Sequence, residues 1–219
     1  MLLLRKSNCP TTGIRIVTRH LLLATHNEHK RREFERLLRT SAGGSWEIEA
    51  LTAAVLMPPE EGETFGDNAL GKARAAARAT GRASIADDSG IAAAALGGAP
   101  GVRSARYAGE HATDGQNLEM LLREAPPASA LEYVCAIAYV DPASGVERVF
   151  EGRCGGRLAA EPRGEGGFGY DPAFLPDDGP PGLTMAELSA EQKDAISHRG
   201  RAARALLAWL EDGARATAG

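Results

Sequence analysis

Five short polar segments hold the side chains that could do chemistry. "IADDSG" (85–90) sets Asp87, Asp88 and Ser89 side by side, after apolar residues that read as the end of a buried strand. Adjacent carboxylates repel each other, and burial penalises their charge, so a pair of acids there calls for a compensating cation. The C-terminal ends of strands are where α/β folds gather their ligands. "THNEHK" (25–30) follows an apolar strand and opens a helix. Thr25, Asn27 and Lys30 would present a hydroxyl, an amide and an ammonium beside free backbone N–H groups, a set that suits phosphate oxygens. Carboxylates beside phosphates point to Mg²⁺, which takes few protein ligands and keeps several waters.

Each segment also has a plainer reading. "THNEHK" alone is better read as a helix cap with a solvated lysine. "DDSG" could be a turn in which Asp88 caps Ser89 or Gly90. "PEEGE" (59–63) offers Glu60 and Glu61, which join a metal site only if their loop folds against Asp88. "GGFGYD" (166–171) has glycines for close backbone approach, and Phe168 and Tyr170 that could stack on a base. It lacks the Gly-Lys-Ser/Thr of a Walker loop, and alone it reads as a tight turn with two packed aromatics. "ISHRG" (196–200) puts His198 and Arg199 at a helix start, where both could donate to carbonyl oxygens or lie on the surface.

Periodicity and punctuation outline the elements that must position these groups. Leu21 to Ala24 predict a strand, and Phe34, Leu37 and Leu38 a helix ending near residue 39. A second strand is expected within 45–54. Residues 64–81 predict a helix with Thr64 as N-cap, Asp67 three residues later, an alanine-filled interior and Gly81 as its stop. A strand over 82–86 then delivers the two aspartates. Residues 96–109 and 161–176 are Gly-rich loops, 113–125 a helix, and 131–140 and 146–158 strands joined by "DPASG". Thr184 and Ser189, with Glu187 and Gln192 three residues on, open further helices. The last helix, 197–212, turns Ala202, Leu206, Trp209 and Leu210 inward. The order predicts an α/β fold, a mixed sheet with helices on both sides.

The chain has 219 residues, 43% hydrophobic and 25% charged, enough for one sizeable core. No repeat or linker divides it, so residues 19–219 are expected to form one domain, behind a disordered extension over 1–18. The net charge of −4 gives no basic field for nucleic acid. No apolar run reaches the roughly 18 residues of a membrane span. Three cysteines without metal spacing suit a reducing cytoplasm.

In order and wording the segments resemble the inosine triphosphate pyrophosphatase family, also described as XTP/dITP diphosphatases. The matching stretches are "LLLATHNEHKRREFERLL", "GETFGDNALGKARAAA", "IADDSG", "LGGAPGVRSARYAGE", "GGFGYDP" and "KDAISHRG", spread from about residue 20 to 212. The resemblance implies an elongated mixed sheet, two lobes with an active-site cleft between them, and a homodimer. It implies Mg²⁺-dependent cleavage of ITP, dITP or XTP between the α- and β-phosphates, clearing deaminated purines from the nucleotide pool.

Residue by residue, the resemblance makes Asp88 the catalytic acid, as general base or metal ligand. Asp87 would support it or the metal. The acidic loop is shifted by one from the family's usual Glu-Glu-x-Gly, which leaves Glu60 and Glu61 as alternatives for a further metal ligand, Glu60 being preferred. Thr25, His26, Asn27, Glu28, His29 and Lys30 would cradle the triphosphate, with His26 standing where the family often has glycine. Ser89 and Lys72 would contact phosphate. Phe168, Gly169, Tyr170 and Asp171 would form the base loop, and Lys193, His198 and Arg199 would reach the nucleotide and its purine. Donors such as Arg199 favour a 6-oxo purine over adenine. Two rivals stand beside this reading: a pyrophosphatase for other modified nucleotides, and a nucleotide-binding module without catalysis.

Overall fold

The computed structural model describes residues 19–39, 46–52 and 55–216; the extension expected over 1–18 lies outside them. Six strands make one mixed sheet in the order β2-β1-β3-β4-β5-β6. β1 (Arg19–Leu23) runs parallel to both β2 (Trp46–Ala50) and β3 (Ser84–Ala93). β4 (Ala130–Asp141), β5 (Val146–Leu158) and β6 (Phe174–Pro176) continue the sheet antiparallel. The unbroken leucines of β1 suit a strand covered on both faces, and Leu21, Leu22 and Leu23 are all buried.

The helices are α1 (Glu28–Arg39), α2 (Phe65–Thr80), α3 (Asp114–Glu124), α4 (Ala190–Ile196) and α5 (His198–Ala216). On one face of the sheet, α1 and α5 pack Phe34, Leu206 and Leu210 over Leu23, Ile85 and Ile137. On the other, α2 lays Ala69, Ala73, Ala76 and Ala77 on Ala86, Ala136 and Ala138. Small residues on both sides bring helix and sheet close together. A third cluster, with Ile91, Leu121, Leu131, Phe174 and Met185, fills the far half of the long strands. The first two clusters form one of the expected lobes and the third the other, joined by β3, β4 and β5.

Caps fall where the sequence put them. The Thr64 side chain accepts from Asp67 N, and Gly81 closes α2 in the left-handed conformation, φ 67°. Thr184 and Ser189 each complete a capping box. Three expectations change. β3 does not stop at Ala86: its antiparallel register with β4 holds it from Ser84 to Ala93. The loop over 96–109 contains a six-residue 3₁₀ turn, Gly101–Arg106. The loop over 161–176 ends in β6, a three-residue edge strand whose Pro176 is tolerated at a sheet margin.

Candidate active site

The extension of β3 past Ala86 creates the site. β1 pairs with β3 only as far as Leu23 opposite Ile85, then leaves the sheet. From Asp88 to Gly90 β3 faces a cleft of about 360 Å³. Its first wall is the turn into α1. Asn27 caps the helix, its Oδ1 accepting from Lys30 N at 3.0 Å, and its own N–H donates to Thr25 Oγ1. Lys30 is not the solvated lysine of the plainer reading: its Nζ lies 3.0 Å from Asp87 Oδ2. Thr25, His26, Asn27 and Lys30 line the cleft. Glu28, expected in the cradle, pairs instead with Arg31 and Arg32, its neighbours one helical turn on.

Successive strand residues point to opposite faces, so the two aspartates part company. Asp88 faces α2. Its Oδ2 accepts from Asn68 Nδ2 at 2.9 Å and its Oδ1 from Ser89 N at 3.0 Å. Burial, with the Glu60 carboxylate nearby, pushes Asp88 above the ordinary aspartate value of 3.8, against Lys72 and Lys30. Lys72 stands between the acids, its Nζ 2.6 Å from Glu60 Oε1 and 3.7 Å from Asp88 Oδ1. Burial works against the charge of Lys72, but the carboxylates of Asp87, Asp88 and Glu60 raise its pKa above the ordinary 10.5. Arg106 secures the loop by donating to Glu60 O at 2.8 Å. Glu60 lines the cleft and Glu61 is exposed, which separates the two acids the sequence left close.

Asp87 faces α1 and α5 and is 1% exposed. Burial opposes its charge, yet Lys30, Arg199 and Lys72 hold its carboxyl below the usual aspartate range. Asp87, expected with Glu60 and Asp88 as a metal ligand, is turned by β3 to the face opposite Asp88, against Lys30 and Arg199.

The far wall is aromatic and charged. Phe168 is stacked on His29, with ring centroids 5.2 Å apart, and the Lys193 and Arg199 cations lie 5.0 and 5.6 Å from its centroid. Asp171 anchors that loop: its Oδ2 accepts from Phe168 N at 2.9 Å and Lys193 Nζ at 2.6 Å, its Oδ1 from Tyr133 OH. Gly169, held by Asp114, also lines the cleft. Tyr170 also lines the cleft, with most of its ring packed in the core and its hydroxyl donating to Ser104 O at 2.7 Å. His198 lies parallel to Tyr133, and burial, with Arg199 and Lys193 beside it, pushes its imidazole well below the ordinary 6.5. Arg199 is buried between Glu33, Asp87 and Ser89. The sequence reading missed Glu33, Asn68 and Arg106. Glu33 had a signal, three residues after Lys30 on the helix face that turns inward with Phe34.

The whole length of this cleft lies inside one sequence family. A model of the Ham1 family matches residues 21–209. The chain belongs to the Ham1 family. It is 49% identical over 204 residues to a protein of Mycolicibacterium paratuberculosis named dITP/XTP pyrophosphatase, covering 90% of this chain and 98% of that one. A Frankia alni protein of the same name is 47% identical over 203 residues, covering 88% and 97%. Among solved structures, a HAM1 protein from Coxiella burnetii aligns with TM-score 0.77 at 38% identity, covering 89% of this chain and 99% of that one. A structure from Mycobacterium abscessus titled nucleoside-triphosphatase / dITP/XTP pyrophosphatase aligns at 0.66 and 44% identity, covering 86% and 98%.

In the Ham1 cleft of this chain the donors that Mg²⁺ could use are few. Among the described residues no group of three or more His, Cys, Asp or Glu could hold a metal ion. Glu60 and Asp88 do share one cation already, the Lys72 ammonium. A pair of carboxylates completed by waters and substrate phosphates is how Mg²⁺ is usually held, so the residues fit.

Proposed function

We propose that this chain hydrolyses ITP, dITP and XTP to the monophosphate and pyrophosphate, removing deaminated purines from the nucleotide pool. One observation carries the reading: a single cleft joins the Glu60–Asp88 acid pair and the capped turn Thr25–Lys30 to the Phe168 platform. The names of the Ham1 relatives support it. The base stacks on Phe168. Lys193 spends two of its three N–H groups on Glu33 and Asp171, leaving one for a carbonyl oxygen such as a 6-oxo group. Thr25, Asn27, Lys30 and the N-terminus of α1 receive the phosphates.

Water attacks the α-phosphorus; its oxygen bonds to phosphorus as the bridge to the β-phosphate breaks and pyrophosphate leaves. Asp88 accepts the water's proton on its carboxylate. Mg²⁺, held by Glu60 and Asp88, would supply positive charge to the triphosphate during attack. Lys72 then turns from the carboxylates to the phosphates.

The test is pyrophosphate release with Mg²⁺ from ITP and XTP against ATP, GTP, dTTP and CTP. Release from ITP and XTP alone is the expected result. Release from pyrimidines would favour the wider pyrophosphatase, and binding without release a module lacking catalysis. A cytoplasmic homodimer belongs to the same proposal. Sedimentation as a monomer at working concentration would remove the dimer. No helix among the described residues is long and apolar enough to cross a membrane.

A further inference from the structure

Asp87 has no part in the acid pair, yet its wholly buried side chain gathers cations from both ends of the cleft. Its Oδ2 lies 3.0 Å from Lys30 Nζ, 3.3 Å from Arg199 Nη2 and 3.3 Å from Ser89 Oγ. Lys30 belongs to the polar end, on the first turn of α1. Arg199 belongs to the aromatic end, beside Phe168. The contacts continue from there: Arg199 Nη1 to Glu33, Glu33 to Lys193, Lys193 to Asp171, and Asp171 to the Phe168 N–H. Every link is a charge-assisted contact between buried or half-buried groups, where water screens little.

We propose that Asp87 is a positioning residue that couples base recognition to the triphosphate end, through the oxygen shared by Lys30 and Arg199. The proposal rests on the hydrolase reading above. A base on Phe168 shifts Lys193 and Arg199. Because Arg199 and Lys30 share one acceptor, any move of the guanidinium changes how firmly the ammonium is held. A correct base thereby sets Lys30 for the transition state, and a wrong one leaves it against Asp87. Contiguity alone does not establish coupling, so the test measures coupling directly.

Asp87→Asn, Lys30→Gln and the double variant are assayed with ITP and with ATP, and Mn²⁺ binding is followed by its paramagnetic resonance signal. Asp87→Asn is expected to lower kcat for ITP about tenfold or more, and the ITP-to-ATP ratio of kcat/KM by a similar factor. Lys30→Gln, which takes the ammonium away from the oxygen shared with Arg199, is expected to lower the same ratio. The double variant should be no more than about twofold worse than the worse single one. Mn²⁺ affinity should survive in Asp87→Asn and fall in Asp88→Asn.

Equal losses for ITP and ATP in both single variants would make Asp87 merely structural and overturn the proposal. Losses that multiply in the double variant would overturn it as well. Mn²⁺ affinity lost in Asp87→Asn would return Asp87 to the metal site. If Asp87→Asn does not fold, the ratio in Lys30→Gln decides alone, since that side chain is partly exposed. Wild-type ITP turnover is the control: its absence removes the hydrolase reading and the coupling with it, whereas a normal wild type with unchanged ratios removes only the coupling.

Discussion

Asp88 and Glu33 show how burial and charge divide the work between acids. Asp88→Asn keeps the bond from Asn68 within reach of an amide but removes the proton acceptor. Pyrophosphate release should fall about a hundredfold or more, while calorimetry without Mg²⁺ finds nucleotide binding little changed. Near-normal turnover would remove Asp88 from the mechanism. Glu33 answers to stability. Burial works against its charge, but Arg199 and Lys193 hold its carboxyl below the ordinary 4.5. Its folded pKa is thus lower than its unfolded one. Its contribution is complete above about pH 5 and is lost as pH falls below 4.5 through the folded value. Glu33→Gln leaves two buried cations short of charge and should cost about 3 kcal/mol at pH 7. Urea unfolding from pH 7 to 3 should show the wild type losing its advantage over the variant on acidification. Parallel pH profiles would contradict the assignment.

The helices deliver these residues through close approaches and caps. α5 carries His198 and Arg199 into the cleft because it lies directly on β5 at Gly152. A Cβ there would stand 2.1 Å from His198 O and 2.5 Å from Ala202 N. Gly152→Ala should therefore destabilise the fold by about 2 kcal/mol and raise KM for ITP, as the start of α5 is pushed off the sheet. Unchanged melting and KM would mean that α5 is not fixed at this contact. The caps and alanine interior of α2 were legible, since they involve neighbours within one turn. That α2 would present Asn68 and Lys72 to Asp88 was not, because the helix face touching the sheet depends on how Ala69, Ala73 and Ala76 pack.

At the scale of the molecule, the cleft lies where two lobes share three long strands. One lobe packs helices on both faces of the sheet; the other closes around Phe174, Leu121 and Met185. His29 of the first meets Phe168 of the second, so a ligand in the cleft touches both and should hold them together. A non-hydrolysable ITP analogue with Mg²⁺ at about a hundred times its Kd should add about 2.7 kcal/mol. For a chain of this size that is a rise in Tm of about 5–10 °C. Calorimetry would show a single transition moving upward. A shift confined to part of a split transition would mean that the ligand grips one lobe only.

The sequence by itself determined the order of elements, most of their ends and the segments from which the cleft is built. Those features follow from interactions within about four residues, such as helical periodicity, caps and turn glycines. The tertiary structure decided which partners the polar residues found. Asn68 reaches Asp88 across 20 positions, Asp87 meets Arg199 across 112 and Glu33 meets Arg199 across 166. It paired Glu28 with its helical neighbours, joined the Tyr170 hydroxyl to Ser104, and put Glu60 in the cleft with Glu61 exposed. It also set Asp87 and Asp88 on opposite faces, because β4 keeps β3 extended beyond the point where β1 lets go. Strand pleat is local, but how far a strand runs is settled by its neighbour in the sheet.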